Sequence, residues 1–391
     1  MSEEVKMKYE LMDMCSDDAV IKVIGVGGGG GNAVDHMMEK KINGVQFICA
    51  NTDAQALRKL NVETKIQLGV ELTKGLGAGT RPEVGKLAAE ENREHIKEVI
   101  DGADMVFLTA GMGGGTGTGA MSVIAEVSKE LGVLTVAVVT KPFDFEGKKK
   151  KMVAEAGIKE LEKHVDSLII IPNQKLLPVL GSNLSLVNAF KAANDVLLDA
   201  VQGITELITH PGLINVDFAD VKTVMSNMGT AIMGSGFATG DNRAREAAEK
   251  AISCPLLEDI NLQGAEGILV NITAKDMDLT EFDEIGSIMH AFASENADMK
   301  IGTAINPDMG DEIRVTVVAT GMGEKSSSAN TPVKLVQKAA AGEVNYDVLD
   351  KPTVIRQSKQ EPRETRFGAQ PKNDMDLDYL DVPAFLRRQA D

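Results

Sequence analysis

Largely apolar, strand-like runs at 19–26, 45–50, 105–110, 134–139 and 168–171 alternate with stretches of helical periodicity, of which 82–100 is the clearest. Strands separated by helices pair in parallel, so this order predicts an α/β fold with a doubly wound parallel sheet over residues 19–184. A long helix is expected next, within 185–212. Leu186, Phe190, Ala193, Leu197, Val201, Ile204 and Ile208 recur at steps of three and four, and Pro211 and Gly212 end the pattern. An apolar stripe of that extent suits a core helix, and it equally suits a helix lying between two domains.

Beyond the helix, residues 213–323 read as a smaller α+β domain, with strands at 229–238, 267–273, 300–304 and 312–320 and helices at 243–253 and 280–293. After Gly323 the apolar content collapses. Residues 324–374 therefore read as a disordered linker, and 1–18 as a mixed-charge tail. Apolar residues return in 375–391, where Asp378, Tyr379, Leu380, Pro383, Phe385, Leu386 and Arg387 have the character of a short docking peptide on a polar tether. A frayed tail with scattered hydrophobes is the plain alternative.

Two glycine-rich loops follow strand runs. Gly27, Gly28, Gly29, Gly30 and Gly31 lead into Asn32, and Gly113, Gly114, Gly115, Thr116, Gly117, Thr118 and Gly119 form the second. Glycine lets a ligand approach backbone amides closely, and the helix that follows offers unpaired N–H groups and the positive end of its dipole. Two such loops point to a polyphosphate. Ligands in doubly wound sheets sit at the carboxyl ends of the strands, where Asn51, the segment 75–79 with Gly77, Ala78 and Gly79, and the segment 140–146 also fall. The chain contains no Gly-x-x-x-x-Gly-Lys-Ser/Thr, so phosphate binding rests mainly on backbone amides. Thr116 and Thr118 add hydroxyls, and a magnesium ion would offset a triphosphate's charge.

Composition narrows the class. With 391 residues and a formal charge of -17, the chain is large enough for two domains and is a poor duplex nucleic-acid binder. Three cysteines far apart support neither a disulfide framework nor a Cys-x-x-Cys metal site, and a reducing cytoplasm fits. Five histidines never fall at ligand spacing, and no apolar run approaches a membrane span.

Three further groups carry candidate chemistry. Glu146 follows a strand end and is placed to accept from ribose hydroxyls, or is a solvated loop acid. Phe190 and Asn194, four apart, share one helical face, which suits stacking on a base and pairing with its edge; Phe190 also suits plain core. Asn215, Asp217 and Asp220 lie past the long helix, where Asn215 would cap a turn that puts both aspartates on one side.

The run from Gly113 to Gly119 resembles the Gly-Gly-Gly-Thr-Gly-Thr-Gly signature of the tubulin/FtsZ GTPase family, and the likeness extends from Ala19 to Gly323. It implies a polymerising GTPase of bacterial division, with GTP or GDP on Gly28 to Asn32, on Gly115 to Gly117 and near 77–80, with Glu146 on the ribose. Magnesium and potassium are the candidate ions. Where relatives often carry arginine this chain has Lys150, and where many carry aspartate it has Asn194 followed by Asp195, leaving open which neighbour reads the base. The resemblance gives Asp217 and Asp220 a role on the GTP of the next subunit, so that the site is completed by head-to-tail assembly. The terminal peptide is similar to the family's adaptor-binding tail, which implies partners of the FtsA, ZipA, MinC and ZapA kinds, membrane contact through adaptors alone, and a place at mid-cell. Two rival readings are a nicotinamide-dependent oxidoreductase, which leaves the second loop without a full role, and a scaffold that binds nucleotide without turnover.

Overall fold

The computed structural model describes residues 19–180, 185–210, 212–226, 229–257, 265–293 and 297–321. The tail 1–18, the linker 324–374 and the terminal peptide with Asp378, Tyr379, Leu380, Pro383, Phe385, Leu386 and Arg387 lie outside the described residues. The first half runs β1 (Ile21–Val26), α1 (Gly27–Glu39), β2 (Val45–Asn51), α2 (Ala54–Lys59), β3 (Thr64–Gln67), α3 (Val70–Thr73), α4 (Pro82–Glu91), α5 (Arg93–Ile100), β4 (Met105–Gly111), α6 (Thr116–Glu130), β5 (Leu134–Lys141), α7 (Lys148–Leu161), β6 (Ser167–Pro172) and α8 (Leu177–Leu180). Then come α9 (Leu186–Thr209), α10 (Phe218–Met225), β7 (Gly229–Thr239), α11 (Arg243–Ile252), β8 (Gly267–Ala274), α12 (Leu279–Phe292), β9 (Asp298–Ile305) and β10 (Glu312–Thr320).

The strands form one sheet in the order β3-β2-β1-β4-β5-β6-β7-β10-β8-β9. From β3 to β6 every pairing is parallel, and the order in which successive strands are added reverses between β1 and β4. A crevice at such a reversal, on the carboxyl edge, is where this architecture receives ligands. Both glycine loops lie there. A short parallel pairing, Ser167 to Ile169 against Gly229 to Ala231, joins the second half, whose β7, β10 and β8 are antiparallel.

Strand residues alternate between two apolar layers, as the period of two demands. On one face Val23, Phe107 and Val136 pack with Val34 and Met37 of α1 and Leu197, Val201 and Ile204 of α9. On the other, Ile24, Leu108 and Val139 meet Ala88 of α4, Ile96 of α5, Ile124 of α6 and Leu161 of α7. A third cluster joins Val270 and Val317 to Ala247 of α11 and Ile285 of α12. The layer holding α9 also contains Leu269 and Val318 from the second half, so this helix is buried against both halves at once.

Two elements depart from the sequence expectation. The helix expected at 82–100 breaks at Asn92, whose side-chain oxygen accepts the Gly69 N–H at 2.8 Å and whose backbone leaves the helical region. Asparagine competes with helix in this way. The strand β3 was not expected at all, because in a four-residue edge strand only Ile66 is buried.

A polar seam crosses the α9 contact with β8. Glu206, itself buried, accepts from Gln202 at 2.6 Å and from the Thr273 hydroxyl at 2.8 Å, and the Asn271 amide donates to the Gly203 carbonyl at 2.8 Å. One turn away, burial pushes the Asp199 carboxyl up to about 6, with Arg314 and Lys40 pulling it down and Asp195 and Glu206 pushing it up. The folded carboxyl thus keeps its proton to a higher pH than the unfolded one, near 3.8, and its ionisation opposes folding. Stability from this group is complete below about pH 4 and is lost as pH rises to about 6. In thermal unfolding between pH 4 and 8, Asp199→Asn gains on the parent across that window and then runs parallel to it; a constant offset at every pH contradicts the assignment.

Candidate functional site

The first loop is a bare strand-to-helix turn. Gly27 takes φ of 71°, and α1 begins at once with no side-chain cap and no acid in its first turn. Close packing explains the glycines beneath it: a Cβ on Gly30 would stand 2.3 Å from the Thr109 carbonyl oxygen, and one on Gly25 would stand 2.4 Å from the Gly30 oxygen. Helix α1 is seated directly on β1 and β4, with its first N–H groups directed to the crevice edge.

The second loop repeats the design. α6 starts at Thr116 without a side-chain cap and without an acid in its first turn. Two uncapped helix N-termini, one from each face, therefore converge on the carboxyl edge of the sheet, a setting for an anion. The loop is internally braced, since the Gly113 N–H donates to the Thr118 hydroxyl at 2.8 Å and the Thr52 and Thr116 hydroxyls meet at 2.6 Å. Thr118 thus serves the loop and is turned away from the crevice, unlike the expectation that it adds a hydroxyl there. The Gly115 N–H donates to the Gly79 carbonyl at 2.9 Å, stapling the 75–79 segment to the same loop.

Between these loops opens a cleft of about 290 Å³. Gly28, Gly29, Asn32, Gly79, Gly114, Gly115, Thr116 and Gly117 line it, together with Glu146, Lys150, Phe190 and Asn194. The remaining expected residues lie beneath or beside this surface. Gly30 and Gly31 face Thr109 and Leu60, and Gly113, at φ of 100°, backs onto Lys150. Ala78 is buried, Gly77 takes a turn at φ of 89°, and the Asn51 oxygen accepts the Asp53 N–H at 3.2 Å.

The side chains are held individually. Glu146 accepts the Phe143 N–H at 2.9 Å and ion-pairs with Lys150. Phe190 is 40 % exposed and meets the buried Phe143 edge-on at 5.4 Å, so its ring faces the cleft and is not core. Asp195 is held outside the cleft by His36, 2.7 Å from its carboxylate, while its neighbour Asn194 lines the cavity. Thr140 and Pro142 of the expected 140–146 segment also line it, and sequence reasoning missed Asn173 and Met112, which do so too. Asn173 is buried, and its side-chain oxygen has no hydrogen-bond partner among the described residues, leaving an acceptor for a ligand. Its position directly after β6, at the carboxyl edge, was the available signal.

Asn215, Asp217 and Asp220 are far from all of this. Phe190 and Asn194 belong to the first turns of α9, whose 24 residues extend roughly 36 Å, and the acids come after its other end. There Ile214 is tied to Thr303 of β9 twice, its N–H donating to the Thr303 hydroxyl at 2.9 Å and its carbonyl accepting the Thr303 N–H at 2.9 Å. Asp217, rather than Asn215, is the cap of α10, accepting the Asp220 N–H at 2.7 Å; Asn215 instead accepts the Gly212 N–H at 2.7 Å. Lys300 lies 3.0 Å from Asp220, and that hydrogen bond, with the nearby charges of Asp298 and Asp217, raises its ammonium above the usual lysine value.

The model of the Tubulin/FtsZ family GTPase domain matches residues 20–181, and that of the FtsZ family C-terminal domain matches 229–323. The chain belongs to the tubulin/FtsZ family. The cell division protein FtsZ of Coxiella burnetii is 60 % identical over 97 % of this chain and 99 % of its own, and that of Pseudomonas aeruginosa is 58 % identical over 98 % and 100 %. Among solved structures, an empty FtsZ dimer from M. jannaschii superposes with a TM-score of 0.75 at 44 % identity, covering 78 % of this chain and 89 % of that one. CetZ2 from Haloferax volcanii, at 18 % identity and a TM-score of 0.67 over 78 % of this chain and 94 % of its own, shares the fold. Membership makes the chain a tubulin-like GTPase and removes the oxidoreductase reading, although the strand order around β1 is the one dinucleotide-binding folds also use.

The glycines separate by role. Gly30→Ala forces a methyl group into the Thr109 carbonyl and is expected to cost about 1–3 kcal/mol of stability. Gly28→Ala, where an added Cβ meets nothing within 4 Å, is expected to melt with the parent. Calorimetry distinguishes them; equal melting temperatures contradict the packing account.

Proposed function

We propose that the chain polymerises head to tail into the filaments of the bacterial division ring, and that GTP is hydrolysed at the junction between subunits. The observation that carries this is the separation of the uncapped-helix cleft from Asp217 and Asp220 by the length of α9. One chain holds both half-sites and cannot bring them together. A contact that joins the cleft of one subunit to the acids of the next is heterologous and does not close, so it propagates as a filament.

In this reading the triphosphate lies against the N–H groups of α1 and α6, the ribose beside Glu146, and the base on Phe190 within reach of Asn194 and Asn173. Because Asp195 is engaged by His36, Asn194 reads the base. Lys150 supplies positive charge beside Glu146 without the bidentate fork of an arginine. Among the described residues no cluster of three or more His, Cys, Asp or Glu is present to hold a metal ion. Magnesium or potassium would therefore enter on the nucleotide phosphates, with the Thr116 hydroxyl at the same loop, and would offset charge there. The neighbour's Asp217 and Asp220 orient the water and accept its proton as it attacks the γ-phosphorus, while the loop amides stabilise the charge on the departing GDP.

Adaptors of the FtsA, ZipA, MinC and ZapA kinds are expected on the 375–391 peptide. No helix among the described residues is long and apolar enough to cross a membrane, so membrane attachment at mid-cell is assigned to such adaptors.

Phosphate release measured across protein concentration, with GTP-dependent sedimentation in parallel, tests the proposal. Turnover is expected to vanish below the concentration at which polymer appears. Asp220→Ala is expected to bind GTP and sediment while losing turnover by roughly a hundred-fold. Turnover per chain that is constant down to dilute monomer contradicts it.

A further inference from the structure

At the acid pole stands Lys300, a basic residue that the mechanism above does not use. Asp217 and Asp220 stand three residues apart at the start of α10, and Asp298 of β9 is close by. Asp217 is committed to the helix: its carboxylate accepts the backbone N–H of Asp220. It leaves the Asp220 side chain itself unheld. That side chain is 39 % exposed, and its partner is Lys300 of β9, 3.0 Å away, which also reaches toward Asp298 at 3.8 Å.

An aspartate at a helix start has several staggered rotamers within reach, and a charge-assisted bond selects among them. Lys300 is only one-third exposed and grows from the strand that anchors the 212–217 loop through Thr303. The same strand therefore fixes the backbone of this loop and the direction of its second carboxylate. The three like charges would otherwise repel one another at this end of the molecule. We propose that Lys300 is a positioning residue for GTP hydrolysis, holding the Asp220 carboxylate in the orientation it presents to the nucleotide of the next subunit. This rests on the assignment of Asp220 to the chemistry.

The test uses full-length Lys300→Gln, Lys300→Arg, Asp220→Asn and the Lys300→Gln/Asp220→Asn pair. GTP affinity, the concentration needed for sedimentation, and turnover per sedimented chain are measured for each. Lys300→Gln is expected to keep affinity and sedimentation while turnover falls roughly three- to five-fold, the upper range for a partly exposed ion pair. Lys300→Arg is expected to restore it. In the Asp220→Asn background, Lys300→Gln is expected to cause no further loss, because a residue that acts through another has nothing left to act on. Full turnover in Lys300→Gln, loss of its assembly, failure of arginine to rescue, or an equal loss in both backgrounds each overturns the positioning role. If Asp220→Asn itself turns over like the parent, the assignment of Asp220 fails instead; if it is impaired while Lys300→Gln is not, only the role of Lys300 fails.

Discussion

The length and burial of α9 constrain everything else in this molecule. Its Phe190 and Asn194 open onto the cleft, its Leu197, Val201 and Ile204 are buried against both halves, and its far end delivers the chain to Asp217. Each such buried aliphatic residue is worth about 1.5–3 kcal/mol, so the helix cannot slide or bend to bring its two ends together. The distance between cleft and acids is thus a property of the core. A second copy of the chain is the natural source of the missing half.

The cleft depends on backbone more than on side chains. Two strands end, two helices begin, and neither helix spends a side chain or an acid on its own first turn. Gly25 and Gly30 let α1 sit against β4, and the Gly115 to Gly79 hydrogen bond pulls a third segment to the rim. What side chains add lies at the edges: Glu146 paired with Lys150, Phe190 set edge-on against Phe143, and an Asn173 oxygen with no partner among the described residues.

Local features of this design were legible in the sequence. The alternation of apolar runs and the two glycine loops carry their own signals, and β10 was read at its true limits because both ends fall at polar breaks. The features that escaped were those created by tertiary contact. Asn92 breaks a helix because Gly69 comes to meet it, β3 exists because β2 offers an edge, and Asn173 reaches the cleft because β6 pairs parallel with β5. In the same way, nothing near Asp195 in sequence announces His36, and nothing near Asp220 announces Lys300.

The most direct measurement of a site shared between subunits is complementation. Asp220→Ala chains keep an intact cleft, and Asn32→Asp chains keep intact acids while placing a carboxylate where phosphates belong. Each alone should be nearly inactive, and mixtures should regain GTP turnover with a maximum near equal proportions. A mixture no more active than its components contradicts the account.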